Sequence, residues 1–165
     1  EHNIDQYDWV MRGRKNGEAH RVIENSYYAM GAENYSNYLR ELYKSIEDTE
    51  QRWESIMVED ADVVLVAYGI SSRVAKEAVK IARREGMKLG LIRPITLWPF
   101  PTQAFKELRP DVKGIVCVEM NILGQMVDDV RLAVNDKYKI VSYGEFANVP
   151  STSIIIDRAK QLLEE

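Results

Sequence analysis

Several residues suited to binding follow one of the most apolar runs of the chain. The stretch KGIVCVEMNILGQM (113–126) contains the run Ile115–Val118, which is typical of a buried strand. The residues of interest after this run are Glu119, Asn121, Gly124 and Gln125. Charged and amide groups at a strand end can orient a ligand or a docked protein, and a glycine permits close approach of a backbone. The pattern therefore indicates a ligand-binding or docking site.

Arg93 ends a second apolar run, LGLIR (89–93), and could belong to the same site. A guanidinium group binds carboxylates and phosphates well. We expect Arg93 to lie beside Glu119 on an exposed rim, where it meets an acidic partner or an anionic group. A structural interpretation is open as well: Arg93 and Glu119 pair with each other, and Asn121 caps the helix that follows.

The elements that would position these residues alternate along the second part of the chain. Short β-rich runs occur at 62–69, 89–93, 114–119 and 139–144, and ESIMV (54–58) could add an edge strand. Three helical segments carry apolar residues at relative positions 0, 1, 4, 7 and 8, counted from Val74, Met126 and Ile155. This alternation predicts an α/β fold with three layers, α/β/α, and a mostly parallel sheet. Ligands and partners of such sheets meet the carboxyl ends of the strands.

The first 58 residues differ in composition from the rest. They contain six of the nine tyrosines and two of the three tryptophans. GRKNGEAH (13–20) has the composition of a loop, and from Glu33 the apolar spacing is helical. We therefore expect a loop and helical linker at 1–58 and an α/β domain at 59–165. Because the sequence opens with EHNIDQYDW and lacks an initiator Met, we expect a piece of a longer protein.

Composition argues against several classes of function. Lys plus Arg total 22 and Asp plus Glu total 26, so the net charge of -4 gives no reason to expect nucleic acid or an anionic membrane as a partner. No stretch of the sequence is apolar enough to predict a membrane span. The single cysteine, Cys117, cannot form an internal disulfide, a zinc site or an iron–sulfur cluster alone. We expect it to be buried, in a reducing cytoplasmic setting.

Phosphate-binding motifs are weak in this chain. A dinucleotide fold needs G-x-G-x-x-G after its first strand, whereas this sequence has a lone Gly69 there. Ser71 and Ser72 could hold a phosphate at a helix start, although we favour helix capping as their role. From the residues alone, one open hypothesis is a free-standing α/β module that binds a small anion at the rim.

Two longer runs resemble a known family. LIRPITLWPFP and VEMNILGQMVDDVRLAV, in this order and spacing, are similar to motifs of the transketolase C-terminal-like domain in the α subunit of 2-oxoacid:ferredoxin oxidoreductases. The resemblance covers about residues 59–144, and residues 25–57 resemble the linker before that domain in the 2-ketoisovalerate type. Two departures are an additional residue before Gly124 and the run Phe146–Asn148, where the family is richer in glycine.

The resemblance implies an activity for the whole enzyme and a narrower role for this chain. The full enzymes use thiamine diphosphate and Mg²⁺ to convert a 2-oxoacid and CoA to acyl-CoA and CO₂, and iron–sulfur clusters carry electrons to ferredoxin. A G-D-G motif in the β subunit holds the diphosphate, and an N-terminal domain of the α subunit holds the pyrimidine.

Neither cofactor-binding part is recognisable in this sequence, so we expect no catalytic residue, no bound cofactor and no turnover by the chain alone. The expected partners are that pyrimidine-binding domain, the β subunit and a ferredoxin-like subunit. In this reading the set Glu119, Asn121, Gly124 and Gln125 is expected at a docking interface.

Overall fold

Five short aliphatic runs form one sheet in the computed structural model, which describes residues 27–164. The strands are β1 (Trp53–Ile56), β2 (Val63–Ala67), β3 (Leu89–Pro94), β4 (Gly114–Glu119) and β5 (Ile140–Gly144). Their order across the sheet is β1-β3-β2-β4-β5. β1 pairs antiparallel with β3, and all the other neighbours are parallel. The mostly parallel sheet and the additional edge strand are thus confirmed, and β2 to β5 all end at the same edge.

The helices begin and end close to where the apolar spacing places them. They are α1 (Tyr27–Met30), α2 (Ala32–Thr49), α3 (Gly69–Arg84), α4 (Met126–Val134) and α5 (Thr152–Glu164), together with a 3-10 helix at Thr102–Glu107. In α3, α4 and α5 the residues at the repeated apolar spacing pack on the sheet, because a sheet covered on both faces needs one apolar stripe from each helix. The exception is Leu163, the last residue of the set in α5, which is exposed.

Two apolar cores lie on opposite faces of the sheet and define three layers. The first core joins the sheet to α3 and α5 and includes Ala75, Ala78, Val79, Ile155, Ala159 and Leu162. The second joins it to the 3-10 helix and α4 and includes Ala104, Phe105, Met126, Val127, Val130 and Val134. Strands β2 and β4 supply residues to both cores and are buried along their whole length. This confirms the three-layer α/β/α arrangement.

The chain divides after Arg40 into two compact units, and the sheet lies in the second of them. Strand β1 belongs to the sheet although it precedes residue 59, where we expected the α/β domain to begin. Helix α2 contains no buried residue, and its Tyr35, Leu39 and Ile46 are half-buried. The expected loop at 13–20 lies outside the described residues. None of the helices within 27–164 has the length and apolar character that crossing a membrane requires.

Candidate interaction rim at the carboxyl edge of the sheet

Glu119 is the last residue of β4, and it is completely buried. Its Oε2 accepts hydrogen bonds from the backbone N–H groups of Gln125, at 3.0 Å, and Met126, at 3.2 Å. These groups lie at the start of α4, where the first N–H groups of a helix have no partner within the helix. Glu119 therefore caps α4 from the preceding strand. Its expected position on an exposed rim is wrong, because the turn between strand and helix folds back over the carboxylate.

The second oxygen of Glu119 is enclosed by the same turn. Oε1 is buried and has no hydrogen-bond partner among the described residues. Gly124 lies against it with φ +73°, and a Cβ placed there would lie 3.4 Å from Oε1 and 3.0 Å from Ser142 Oγ. A side chain at 124 would be strained and crowded, so glycine is required for the turn to close. Gly124 thus permits a close approach between its backbone and side chains of the same chain, among them Glu119 and Ser142.

Asn121 stabilises the turn and does not cap the helix. Its Oδ1 accepts a hydrogen bond from the backbone N–H of Leu123 at 3.2 Å, which is the geometry of a local side-chain turn. The residue at the N-cap of α4 is the exposed Gln125, and its side chain makes no capping bond. The predicted cap role of Asn121 is therefore wrong, since Glu119 already occupies the helix start.

Gly144, at the end of β5, connects this turn to the neighbouring strand. A Cβ at Gly144 would overlap the backbone oxygen of Asn121. Glu119 pairs with Gly144 in the β4–β5 register, and the backbone N–H of Glu145 donates to the Glu119 carbonyl at 3.1 Å. The turn after β4 thus packs on the bare backbone at the end of β5.

Arg93 lies elsewhere on the sheet and does not pair with Glu119. Strand β2 separates β3 from β4, so the two residues are not on neighbouring strands. Arg93 Nη1 instead contacts Glu54 Oε2 of β1 at 3.2 Å, and Lys76 Nζ of α3 contacts Glu54 Oε1 at 3.2 Å. Hydrogen bonds from Lys76 and then from Arg93 hold the pKa of Glu54 below its usual value. Arg93 and Glu119 therefore do not form the single site that we expected, since each has different partners on a different strand.

Ser71 and Ser72 do not cap α3. The helix begins at Gly69, with Tyr68 at the N-cap and no side-chain cap bond. Both serines are buried, and Ser72 Oγ donates to the Gly69 carbonyl at 2.7 Å. The capping prediction is wrong because the helix begins at Gly69, so both serines lie inside its first turn and not before it.

Burial shifts the pKa of two ionisable groups near β4. Burial, followed by the negative charge of Glu119, raises the pKa of the Cys117 thiol to about 12, so the thiol stays protonated. Burial also raises the pKa of Asp129, and Asp128 and Glu119 add to the effect. Within residues 27–164 there is no cluster of three His, Cys, Asp or Glu side chains able to hold a metal ion.

The same edge of the sheet carries large apolar side chains that are exposed. They follow β3, β4 and β5, in the loops that lead to the next helix. We call this set the carboxyl-end rim; it comprises Ile95, Leu97, Trp98, Met120, Ile122, Leu123, Phe146 and Val149. Leu123 is 88% exposed, Phe146 77% and Ile122 68%. Large exposed apolar side chains on these loops favour an interaction site at this edge of the sheet.

Sequence reasoning selected polar residues in these loops and missed the apolar ones. The available signal was the position of ILG and TLW after the strands, in loops that are ordinarily polar. Such residues look like core in a sequence, because apolar residues are more often inside than outside.

Comparison with known proteins identifies relatives for this region. Residues 61–151 match the model of pyruvate:ferredoxin oxidoreductase core domain II. The ketoisovalerate oxidoreductase subunit VorB of Methanothermobacter marburgensis is 52% identical over 101 residues, which are 61% of this chain and 28% of that protein.

Two solved structures share the fold. A 2-oxoglutarate:ferredoxin oxidoreductase from Magnetococcus marinus, solved with 2-oxoglutarate, coenzyme A and succinyl-CoA, superposes with a TM-score of 0.68 at 25% identity, over 81% of this chain and 24% of that chain. A split-gene transketolase superposes with a TM-score of 0.57 at 22% identity, over 68% of this chain and 41% of that one. The transketolase likeness is one of fold.

The chain spans about a quarter of the length of the two oxidoreductase proteins described. The matched model covers 61–151, more than half of the 165 residues. The chain belongs to the pyruvate:ferredoxin oxidoreductase core domain II family.

Proposed function

We propose that this chain is the C-terminal transketolase-like domain of the subunit designated α in a 2-oxoacid:ferredoxin oxidoreductase, and that it serves assembly. The whole enzyme would convert a 2-oxoacid and CoA to acyl-CoA and CO₂ and reduce ferredoxin. Membership of the core domain II family supports the enzyme class. The 52% identity to a ketoisovalerate oxidoreductase subunit supports a branched 2-oxoacid as the substrate.

The carboxyl-end rim is the observation that carries the assembly role. Eight large apolar side chains are exposed on three loops at one edge of the sheet, whereas the apolar residues of the core are buried. Fully burying a side chain of this size contributes about 1.5–3 kcal/mol, so covering several of them would supply substantial association energy. We propose that the remainder of the same enzyme covers the rim. This chain spans only about a quarter of the related subunit, so most of that enzyme lies outside it.

The proposed division of labour places the cofactors on other parts of the enzyme. Thiamine diphosphate supplies the carbanion chemistry when it is bound, and we assign it with Mg²⁺ to the β subunit and to the pyrimidine-binding domain of the α subunit. Iron–sulfur clusters and the ferredoxin-like partner would take the electrons. The chemistry of the described residues supports this division, since the one thiol, Cys117, is buried and remains protonated. A cytoplasmic location is part of the proposal and accords with this unpaired thiol.

The role is tested by measuring activity with and without the partner chains. The 165-residue chain, incubated with thiamine diphosphate, Mg²⁺, CoA, 2-ketoisovalerate and a viologen acceptor, should reduce no viologen. The complete subunit that contains this segment, coexpressed with the thiamine-diphosphate-binding subunit, should reduce viologen only when CoA and the 2-oxoacid are both present. Turnover by the isolated chain, or a complete complex without 2-oxoacid-dependent reduction, would contradict the proposal.

A further inference from the structure

A cavity of about 200 Å³ lies between the first half of α3 and the strands β1 and β3. Its charged walls are Arg73, Lys76 and Arg93, with Glu54 as the one carboxylate. Three positive groups facing one negative group leave the cavity with a clear excess of positive charge. The start of α3 adds positive potential, since helix N-termini carry partial positive charge.

Glu54 holds two of these cations in place and leaves donors free. It contacts Lys76 and Arg93 at 3.2 Å each, one through each of its oxygens. Arg93 Nε is buried and has no hydrogen-bond partner in the part of the chain that the structure describes. The exposed Arg73 side chain forms no ion pair or hydrogen bond with any residue of 27–164. The Arg73 guanidinium, which lines the cavity, therefore offers hydrogen-bond donors that the described residues do not use.

The dimensions favour a compact ligand. The cavity volume of about 200 Å³ is enough for several water molecules. Drug-sized ligands occupy pockets of about 300–1,000 Å³, and the cavity is smaller than these. Guanidinium groups pair best with the planar or tetrahedral oxygens of carboxylates and phosphates.

We propose that this cavity binds a compact oxyanion, the carboxylate or phosphate of a small molecule, between Arg73 and the Arg93–Lys76 pair. Glu54 acts as the positioning residue that fixes Lys76 and Arg93. The site shares no residue with the carboxyl-end rim and does not depend on the proposed enzyme class. It is also distinct from the expected anion site beside Glu119, which lies two strands away.

The test is an anion titration of the 165-residue chain followed by amide NMR shifts. Inorganic phosphate and isobutyrate are added in separate series, with ionic strength held constant by sodium chloride. We expect saturable amide shifts at Arg73, Lys76 and Arg93. The anion that saturates these shifts at the lower concentration shows whether the site prefers a phosphate or a carboxylate. Loss of one charge-assisted hydrogen bond in Arg73→Gln should weaken binding by about tenfold.

Arg84→Gln is the matched control, because Arg84 is an exposed cation on the same helix and is outside the cavity. It should bind the anion as the parent chain does, and circular dichroism should show both variants folded. Equal weakening in the two variants would indicate general charge attraction and overturn the site. Shifts that do not saturate with either anion would overturn it as well.

Discussion

Replacing Glu119 with alanine should destabilise the chain by about 3 kcal/mol. The carboxylate is fully buried and accepts two backbone hydrogen bonds at the start of α4. An unsatisfied buried donor costs about 1–3 kcal/mol, and we assign about 2 to the buried Met126 N–H and about 1 to the N–H of the exposed Gln125. This total is about three times the loss of an ordinary helix cap, which is about 1 kcal/mol.

Glu119→Gln separates the hydrogen bonds from the charge. Its side-chain carbonyl can accept from the same two N–H groups, so the main loss is the negative charge at the helix N-terminus, worth about 0.3–1 kcal/mol. Asp128→Ala is the control in the same turn, since Asp128 is exposed and pairs with Arg131 on the surface. Its effect should stay within about 0.5 kcal/mol.

Urea unfolding at pH 7, followed by circular dichroism, measures the three free energies of unfolding. The expected order of destabilisation is Glu119→Ala, then Glu119→Gln, then Asp128→Ala. A Glu119→Ala variant no less stable than Asp128→Ala would refute the capping role of the carboxylate. An equal loss in Glu119→Ala and Glu119→Gln would instead show that the charge, and not the acceptor geometry, stabilises α4.

Three further predictions concern other parts of the second unit. The pKa of the Glu54 carboxyl is lowered from 4.5, so its contribution to stability is present above pH 4.5 and is lost as the pH falls through the folded-state pKa. In acid-unfolding curves, the free energy of unfolding of Glu54→Gln should therefore fall less steeply below pH 4.5 than that of the parent chain. Cys117 is buried and its pKa is about 12, so a thiol reagent should label the native chain far more slowly than the urea-unfolded chain, and equal rates would contradict its burial. Gly144→Ala places a Cβ against the Asn121 carbonyl oxygen and should cost about 1–3 kcal/mol in urea unfolding; an unchanged midpoint would mean that the turn moves aside freely.

The layered fold was predictable because its signals are local. Strands β2 and β4 are nearly continuous apolar runs, as expected of strands covered on both faces. The repeated helical spacing identified the faces of α3, α4 and α5. These patterns depend on near neighbours in the chain, which a single sequence displays directly.

The position of the polar residues depended on contacts that the sequence does not display. Arg93 and Glu119 both end apolar runs, but β2 lies between their strands, and the order of strands is a property of the whole sheet. The burial of Glu119 depends on a turn that closes over it, for which Gly124 and Gly144 leave the space. The exposed rim was missed for a related reason: Leu123 and Phe146 are apolar, and a sequence alone does not separate an apolar docking residue from a core residue.

The central claim is that the carboxyl-end rim packs against the rest of the oxidoreductase. Its most direct test is native mass spectrometry of the complete complex carrying Ile122→Asp and Leu123→Asp together. Leu132→Asp is the control, because Leu132 is 80% exposed on α4 and lies outside the rim. Burying a charge in place of an apolar side chain costs several kcal/mol at an interface and little on an open surface. We predict that the rim variant fails to assemble while the Leu132 variant assembles fully, with equal melting temperatures for the two 165-residue chains. Full assembly of the rim variant would contradict the account.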